Sequence, residues 1–390
     1  MNKGLVSAFE IVLIGAVVFA NGLLIQTPLP DGWSTTLLDK YCQTISDVAF
    51  LNRYIKLNPT DSQAYRARAQ SYSVDSYWHF VVADCTKALE LNNDDAISRR
   101  LRAYANYQLE QDDAALSDFN LVINEGKGVA LDYAHRALVN FRTKRYDSAL
   151  ADANTAIAKD SLCATGYYAR GLVEFKNGKD KDALYDAKLA CQLDYEMTGP
   201  YILMGMILND RKKYSRALIM CEQGLLHDPT CGAAHLQSAI SQDKLKKYDK
   251  AIHSCTVALS VADTKAVRSG AYSTRALAEL HKHRAKEAIE DSTKALTIDP
   301  ECLLAFDVRA KAYSDLNRTA EAGQDKTAAE RIRAQLNIPV EEDLTLEEKQ
   351  PKDLQKSKSD ETDTEAIKLD ELNPAGGGER QKVNRKVQTQ

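Results

Sequence analysis

The sequence predicts an all-α fold, an α-solenoid of about eight helix-turn-helix repeats wound into a superhelix. Three observations carry that expectation. One self-shift, 34 residues, aligns the chain with itself, and small residues recur at fixed places within each period. The composition is rich in Ala, Leu, Lys, Asp and Glu, with nine Pro in 390 residues, as long helical arrays are. The 51 basic residues are outnumbered by 55 acidic ones, so there is no cationic excess to neutralise phosphates, and nucleic acid is not expected as a partner.

The first 25 residues carry Lys3, an apolar stretch from Ile11 to Ala20, and small residues around Val18-Phe19-Ala20 where a signal peptidase would cut. Leu23-Leu24-Ile25 extends the run towards the length of a membrane-spanning helix, so residues 1–25 are read as a signal peptide or an N-terminal membrane anchor. Lys3 then favours an extracytoplasmic location, secreted or membrane-anchored. The alternative is a buried first helix in a cytoplasmic protein. Residues 28–61 read as a degenerate capping half-repeat, since Tyr54-Ile55-Lys56-Leu57-Asn58-Pro59 matches the end of a full unit.

The full units span 62–95, 96–129, 130–163, 164–197, 198–231, 232–265, 269–302 and 303–336. Three extra residues, 266–268, interrupt the period and are expected to lengthen an inter-repeat turn. Position eight is small throughout: Ala69, Ala103, Ala137, Gly171, Gly205, Ala239, Ala276 and Ala310. Two helices must approach closely there. Position twenty is Ala in every unit from Ala115 to Ala322, with Val81 in the first. Position four is bulky: Tyr65, Arg99, Tyr133, Tyr167, Tyr201, His235, Tyr272 and Phe306. Polar pairs fill the turn between helices, and Pro229 and Pro300 close the fifth and seventh units.

This pattern resembles the tetratricopeptide repeat from Ser62 to about Leu336. The resemblance implies a superhelix with a concave face that holds a partner protein; the segments before Ser62 and after Leu336 are too short for a catalytic domain, so no catalysis is expected. In this family that face is lined by positions two, five, nine and twelve of the first helix. Here the stripe gives Tyr104, Tyr107, Leu138, Phe141, Tyr168, Leu172, Phe175, Ile202 and Met206 as the partner-binding groove. It also includes Ile97, Leu131, Leu236, Ile240, Leu277 and Leu280, so an apolar peptide or helix is the expected occupant. The Lys and Asn that hold acidic C-terminal peptides in the family are replaced by Leu101, Leu131 and Leu138. A receptor for a lipid or other small hydrophobic ligand is the alternative, and it would need an enclosed cavity.

The eight units can also be compared with one another. Position seven is Arg and position twenty-three is Asp in the same six: Arg68 and Asp84, Arg102 and Asp118, Arg136 and Asp152, Arg170 and Asp186, Arg275 and Asp291, Arg309 and Asp325. The exceptions change together, to Met204 with Met220 and to Ser238 with Ser254. Paired replacement implies touching side chains, so an ion pair is expected to lock six hairpins.

Little remains to host chemistry. The eight Cys form no CxxC pair, and the seven His are scattered, so neither metal nor cofactor is expected. Cys163 and Cys191 bracket the fourth hairpin and are the best-placed disulfide candidates. After about Asn337 the periodicity ends. Residues 337–390 are charged, poor in aromatics and expected to be a disordered tail, acidic between Glu341 and Glu371 and basic from Arg380 to Lys386.

Overall fold

The structure, a computed structural model, describes residues 48–262 and 264–336. The N-terminal segment expected to be a signal or anchor and the charged tail lie outside the described residues. Among those described, no helix is long and apolar enough to cross a membrane.

The described residues are helical and fall into two compact units that divide between Leu109 and Glu110. The first holds α1 (Val48–Leu57), α2 (Ser62–Val74), α3 (Trp78–Leu91) and α4 (Ala96–Gln108). The second opens with α5 (Asp112–Asn124), α6 (Ala130–Arg142), α7 (Tyr146–Lys159), α8 (Ala164–Lys176) and α9 (Asp180–Leu193). It continues through α10 (Thr198–Asp210), α11 (Tyr214–His227), α12 (Gly232–Lys244) and α13 (Tyr248–Val261). It ends with α14 (Lys265–His281), α15 (Ala285–Ile298), α16 (Leu303–Asp315) and α17 (Thr319–Leu336). Even-numbered helices from α2 begin a repeat and odd-numbered ones complete it; α4 and α5, the halves of the second repeat, fall in different units.

Each first helix stops for the same reason. The fifteenth residue of every repeat takes positive φ: Ser76, Glu110, Lys144, Gly178, Lys212, Lys246, His283 and Asn317 lie between 57° and 74°. That left-handed step lets the next amide reach back, as Lys213 N does to Leu208 O and Arg145 N to Asn140 O, both at 2.8 Å. The orphan carbonyls of the helix end are thereby satisfied. At the other end, Asp61 accepts from Gln63 N at 2.9 Å and Asp95 from Ile97 N at 3.0 Å, capping α2 and α4.

The small residues allow close approach. A Cβ on Gly205 would stand 2.7 Å from the buried Cys221 Sγ, and one on Gly171 would stand 3.1 Å from Leu203. The bulky fourth residue serves a polar purpose as well as filling space. Tyr65, Tyr167 and Tyr201 donate their hydroxyls to the carbonyl six residues earlier, and His235 Nε2 meets Pro229 O at 3.0 Å. Arg99 donates to Asn93 O in the same way. Arg and His therefore replace Tyr without losing the hydrogen bond that pins the preceding loop.

One expectation is corrected. Residues 266–268 do not lengthen a turn; they are helical, and α14 runs 17 residues where α12 runs 13. Thr264 caps it by accepting from Val267 N at 3.3 Å, and the Lys-Ala-Val-Arg that follows contains no helix breaker. The insertion is absorbed as an added helical turn.

Candidate partner-binding face

Successive first helices pack side by side, which decides how much of the predicted stripe stays open. In the second unit Leu138 and Leu172 are 7% and 9% exposed. Both are buried by packing and are corrected from groove-lining to core. Leu236, Leu277 and Leu280 are buried too, the last two in one cluster with Val308 and Ala312 of the following repeat. At position nine Leu138, Leu172 and Leu277 are buried, whereas Tyr104, Met206 and Ile240 stay half-buried.

What remains accessible lies mainly at positions two, five and twelve: Leu131 is 47% exposed, and Phe141, Tyr168, Phe175 and Ile202 are half-buried. Met206, at position nine, is half-buried as well. Phe141 and Tyr146 have ring centroids 5.6 Å apart. Tyr168 lies over Gly199, where any Cβ would stand 2.7 Å from its ring. In the first unit Ile97 is 44% exposed, and half-buried Tyr107 has its ring centroid 6.3 Å from that of Tyr104. Tyr104 meets Trp78 edge-on at 5.5 Å, and burial pushes its phenol pKa up.

Tyr146 and Trp78 show what the stripe omits. Both stand at position seventeen, the first residue of the second helix, and Tyr214 and Tyr248 occupy the same place. An aromatic in four of eight repeats is a readable signal, but it lies on the second helix, where a stripe drawn along the first cannot find it.

The Arg and Asp at positions seven and twenty-three lie together within five hairpins. Arg68 Nη2 donates to Asp84 Oδ1 at 2.6 Å, and Arg136 Nη2 to Asp152 Oδ1 at 2.6 Å. Arg170 and Arg275 donate through Nε to Asp186 and Asp291 at 2.6 Å, and Arg309 Nη2 reaches Asp325 at 2.7 Å. All five are two-pronged. Each guanidinium also lies over the aromatic of position four, 5.5 to 5.8 Å from its centroid. Arg102 and Asp118 belong to different units.

The remaining prong leaves the hairpin. Arg68 Nη1 donates to Asn52 Oδ1 at 2.7 Å and Arg136 Nη1 to Asn120 Oδ1 at 2.8 Å. Arg170 and Arg309 reach Asn154 and Thr293 in the same manner, and Arg275 reaches Thr256. These partners occupy position twenty-five of the preceding repeat. Each Arg therefore ties its own hairpin and fastens it to the one before; Asn52 gives α1 the role of such a preceding helix.

Other charged groups are structural as well. Arg142 Nε donates to Asp112 at 2.8 Å and Arg211 Nε to Asp180 at 2.9 Å, both between repeats. Burial and the nearby Asp186 carboxylate raise the Glu174 pKa to about 7, and among the described residues its Oε2 has no hydrogen-bond partner. The seven described cysteines are free thiols. Cys163 packs on Ala134 and Ala156, and Cys163 and Cys191 are both free, buried thiols, so the disulfide expectation is not met. Among the described residues no three His, Cys, Asp or Glu gather as a metal site.

No protein-family model matches the sequence. No curated protein matches it either. Solved structures do. The APC/C hetero-tetramer Cut9-Hcn1 matches with a TM-score of 0.62 at 13% identity, over 76% of this chain and 56% of that one. This chain thus spans little more than half of the length of the one it matches. A tetratricopeptide repeat protein from Parabacteroides merdae matches at 12% identity, TM-score 0.46, over 64% and 98%. The thermophilic TPR protein TTC0263 of Thermus thermophilus matches at 24% identity, TM-score 0.40, over 48% and 99%. With its 34-residue period and stacked helical hairpins, the chain is an α-solenoid with the tetratricopeptide-repeat fold.

Proposed function

We propose that this chain is a non-catalytic scaffold that holds another protein, as a peptide or a helix, against the first-helix face of its repeats. The observation that carries this reading is the half-buried aromatic set Phe141, Tyr168 and Phe175, flanked by Ile202 and Met206 in the second unit. Half-buried aromatic side chains supply large contact area with little rotamer entropy to lose. The fold supports a scaffold in a second way. Every two-pronged ion pair named above is spent on holding hairpins together, which leaves apolar and aromatic groups for the partner.

Selection from a displayed peptide library tests it. The wild-type chain is expected to enrich peptides with apolar anchors at helical spacing. The Phe141→Ala, Tyr168→Ala and Phe175→Ala triple variant should lose them while keeping its helical circular dichroism and its melting temperature within a few degrees. Selection unchanged by the triple variant moves the site elsewhere. A fall in melting temperature corresponding to about 3 kcal/mol or more per residue returns these rings to the core.

A further inference from the structure

The first-to-second-helix turns of the second unit share one edge, because its first helices run alongside one another with second helices returning between them. That edge is basic although the whole chain carries a net charge of −4. It is densest at the fifth and sixth repeats, where Arg211, Lys212, Lys213, Lys244, Lys246 and Lys247 are all exposed. Arg211 is paired with Asp180; among the described residues the other five have no carboxylate within ion-pair distance.

The backbone adds a second observation. The left-handed step of the turn falls on Gly178 in the fourth repeat, where it is free of side-chain strain. In the third, fifth and sixth repeats it falls on Lys144, Lys212 and Lys246, with φ of 62°, 60° and 59°. A lysine at such a step is strained relative to glycine or asparagine. The turn itself does not call for lysine, since Ser76, Glu110 and His283 take the same step in other repeats.

The compensating acidity is in the same chain. Residues 341–371 carry twelve Asp and Glu against five Lys, a net charge of −7. The block Asp360-Glu361-Thr362-Asp363-Thr364-Glu365 has four acids and no base. It begins 24 residues beyond Leu336, where α17 ends. Since α17 runs away from the basic edge for 18 residues, the block must return about 27 Å and cross two repeats to reach the sixth and three to reach the fifth. Twenty-four residues reach about 80 Å extended, with a flexible-coil average of about 27 Å. The span is well within reach, and tethering holds the block at an effective concentration on the order of millimolar.

We propose that Asp360–Glu365 docks intramolecularly on the basic turn edge of the fifth and sixth repeats, a polyanion bridging Lys212, Lys213, Lys246 and Lys247. The four lysines are not among the residues that carry the scaffold reading, although Tyr214 and Tyr248 of position seventeen adjoin them, so the contact does not depend on that reading. Zero-length carbodiimide cross-linking of the full chain, read by mass spectrometry on the monomer, tests it. Amide cross-links from the block are expected on those four lysines. Their yield should fall at least fivefold in 1 M salt, where charges are screened beyond about 3 Å. The tail variant Asp360→Asn, Glu361→Gln, Asp363→Asn and Glu365→Gln, which leaves the repeats untouched, should abolish them. Equal yields on Lys159 and Lys188, cross-links confined to covalent dimers, or no cross-links would each overturn the proposal. So would phosphatidylserine vesicles that bind the full chain through the four lysines while tail cross-links are absent, an outcome that assigns the edge to a membrane.

Discussion

Arg170 reaches three groups at once: Asp186 of its own hairpin, Asn154 of the preceding repeat, and the Tyr167 ring. Its carboxylate partner is almost wholly buried, with 2% of its side chain exposed. Removing the cation therefore leaves an uncompensated buried charge, which outweighs any gain from an apolar replacement. Arg170→Met should destabilise by about 3 kcal/mol, the lower end for a buried pair because the guanidinium keeps some solvent contact. Arg170→Met with Asp186→Met should recover to within about 1 kcal/mol of wild type, since an apolar pair of similar volume needs no counter-charge. The fifth repeat already uses that solution, with Met204 and Met220 buried. Urea melts of the two variants decide it, and a double variant no better than the single one would show that the charges do more than cancel. The Arg and Asp are legible in the sequence because they vary together inside one unit. The third partner is legible only across a repeat boundary, which a comparison of units position by position does not cross. Position twenty-five is Lys188 and Glu222 immediately before the two repeats that lack Arg, and Asn or Thr before the six that have it, counting Asn52.

At the scale of the helix, first helices begin at Ser62, Ala96, Ala130, Ala164, Thr198, Gly232 and Leu303, where the 34-residue period sets the unit starts. Where the period breaks, the expectation fails. Sequence spacing counts residues but does not say whether an insertion bulges or winds, and the Thr264 cap decides for winding. The stripe fails for a related reason. Helical spacing identifies a face, yet it cannot say how much of it the next helix covers, so Leu138 and Leu172 are assigned to the groove and Tyr146 is left out. Close approach offers a sharp test within α10 and α11. Gly205→Ala gains about 1 kcal/mol of helix propensity but drives its Cβ into the buried Cys221 sulfur, an overpacking penalty of about 1–3 kcal/mol. A net loss of about 1 kcal/mol is expected. Cys221→Ala opens the space and should turn the same Gly205→Ala change into a gain, which a double-mutant cycle of thermal melts would register as favourable coupling.

For the whole molecule, the stability of a stacked array is close to a sum of repeat terms and nearest-neighbour terms, so the array is as firm as its weakest seam. The sixth repeat is the candidate for that seam. It lacks the Arg and Asp pair, has Glu222 in place of the position-twenty-five bridge from the fifth, and carries Ser238 and Ser254 where the fifth buries Met204 and Met220; its remaining polar tie to the fifth is Asn209, which bonds with Gln237 and Ser241. Ser254 donates to Gln242 at 2.8 Å. Among the described residues the buried Ser238 hydroxyl has no partner stronger than the Cys221 thiol, a further penalty. Native-state hydrogen exchange should therefore find the interior amides of α12 and α13 opening at a lower free energy than those of α6 to α9. Grafting the missing tie, Glu222→Asn with Ser238→Arg and Ser254→Asp, should raise that opening energy and lift the melting temperature by a few degrees, about 2–4 °C per kcal/mol for a domain of this size. Ser238→Arg alone should lower it, because the new cation enters a half-buried site without its carboxylate. Slower exchange in α12 and α13 than in the paired repeats would show that apolar packing, and not the arginine tie, sets the strength of each seam.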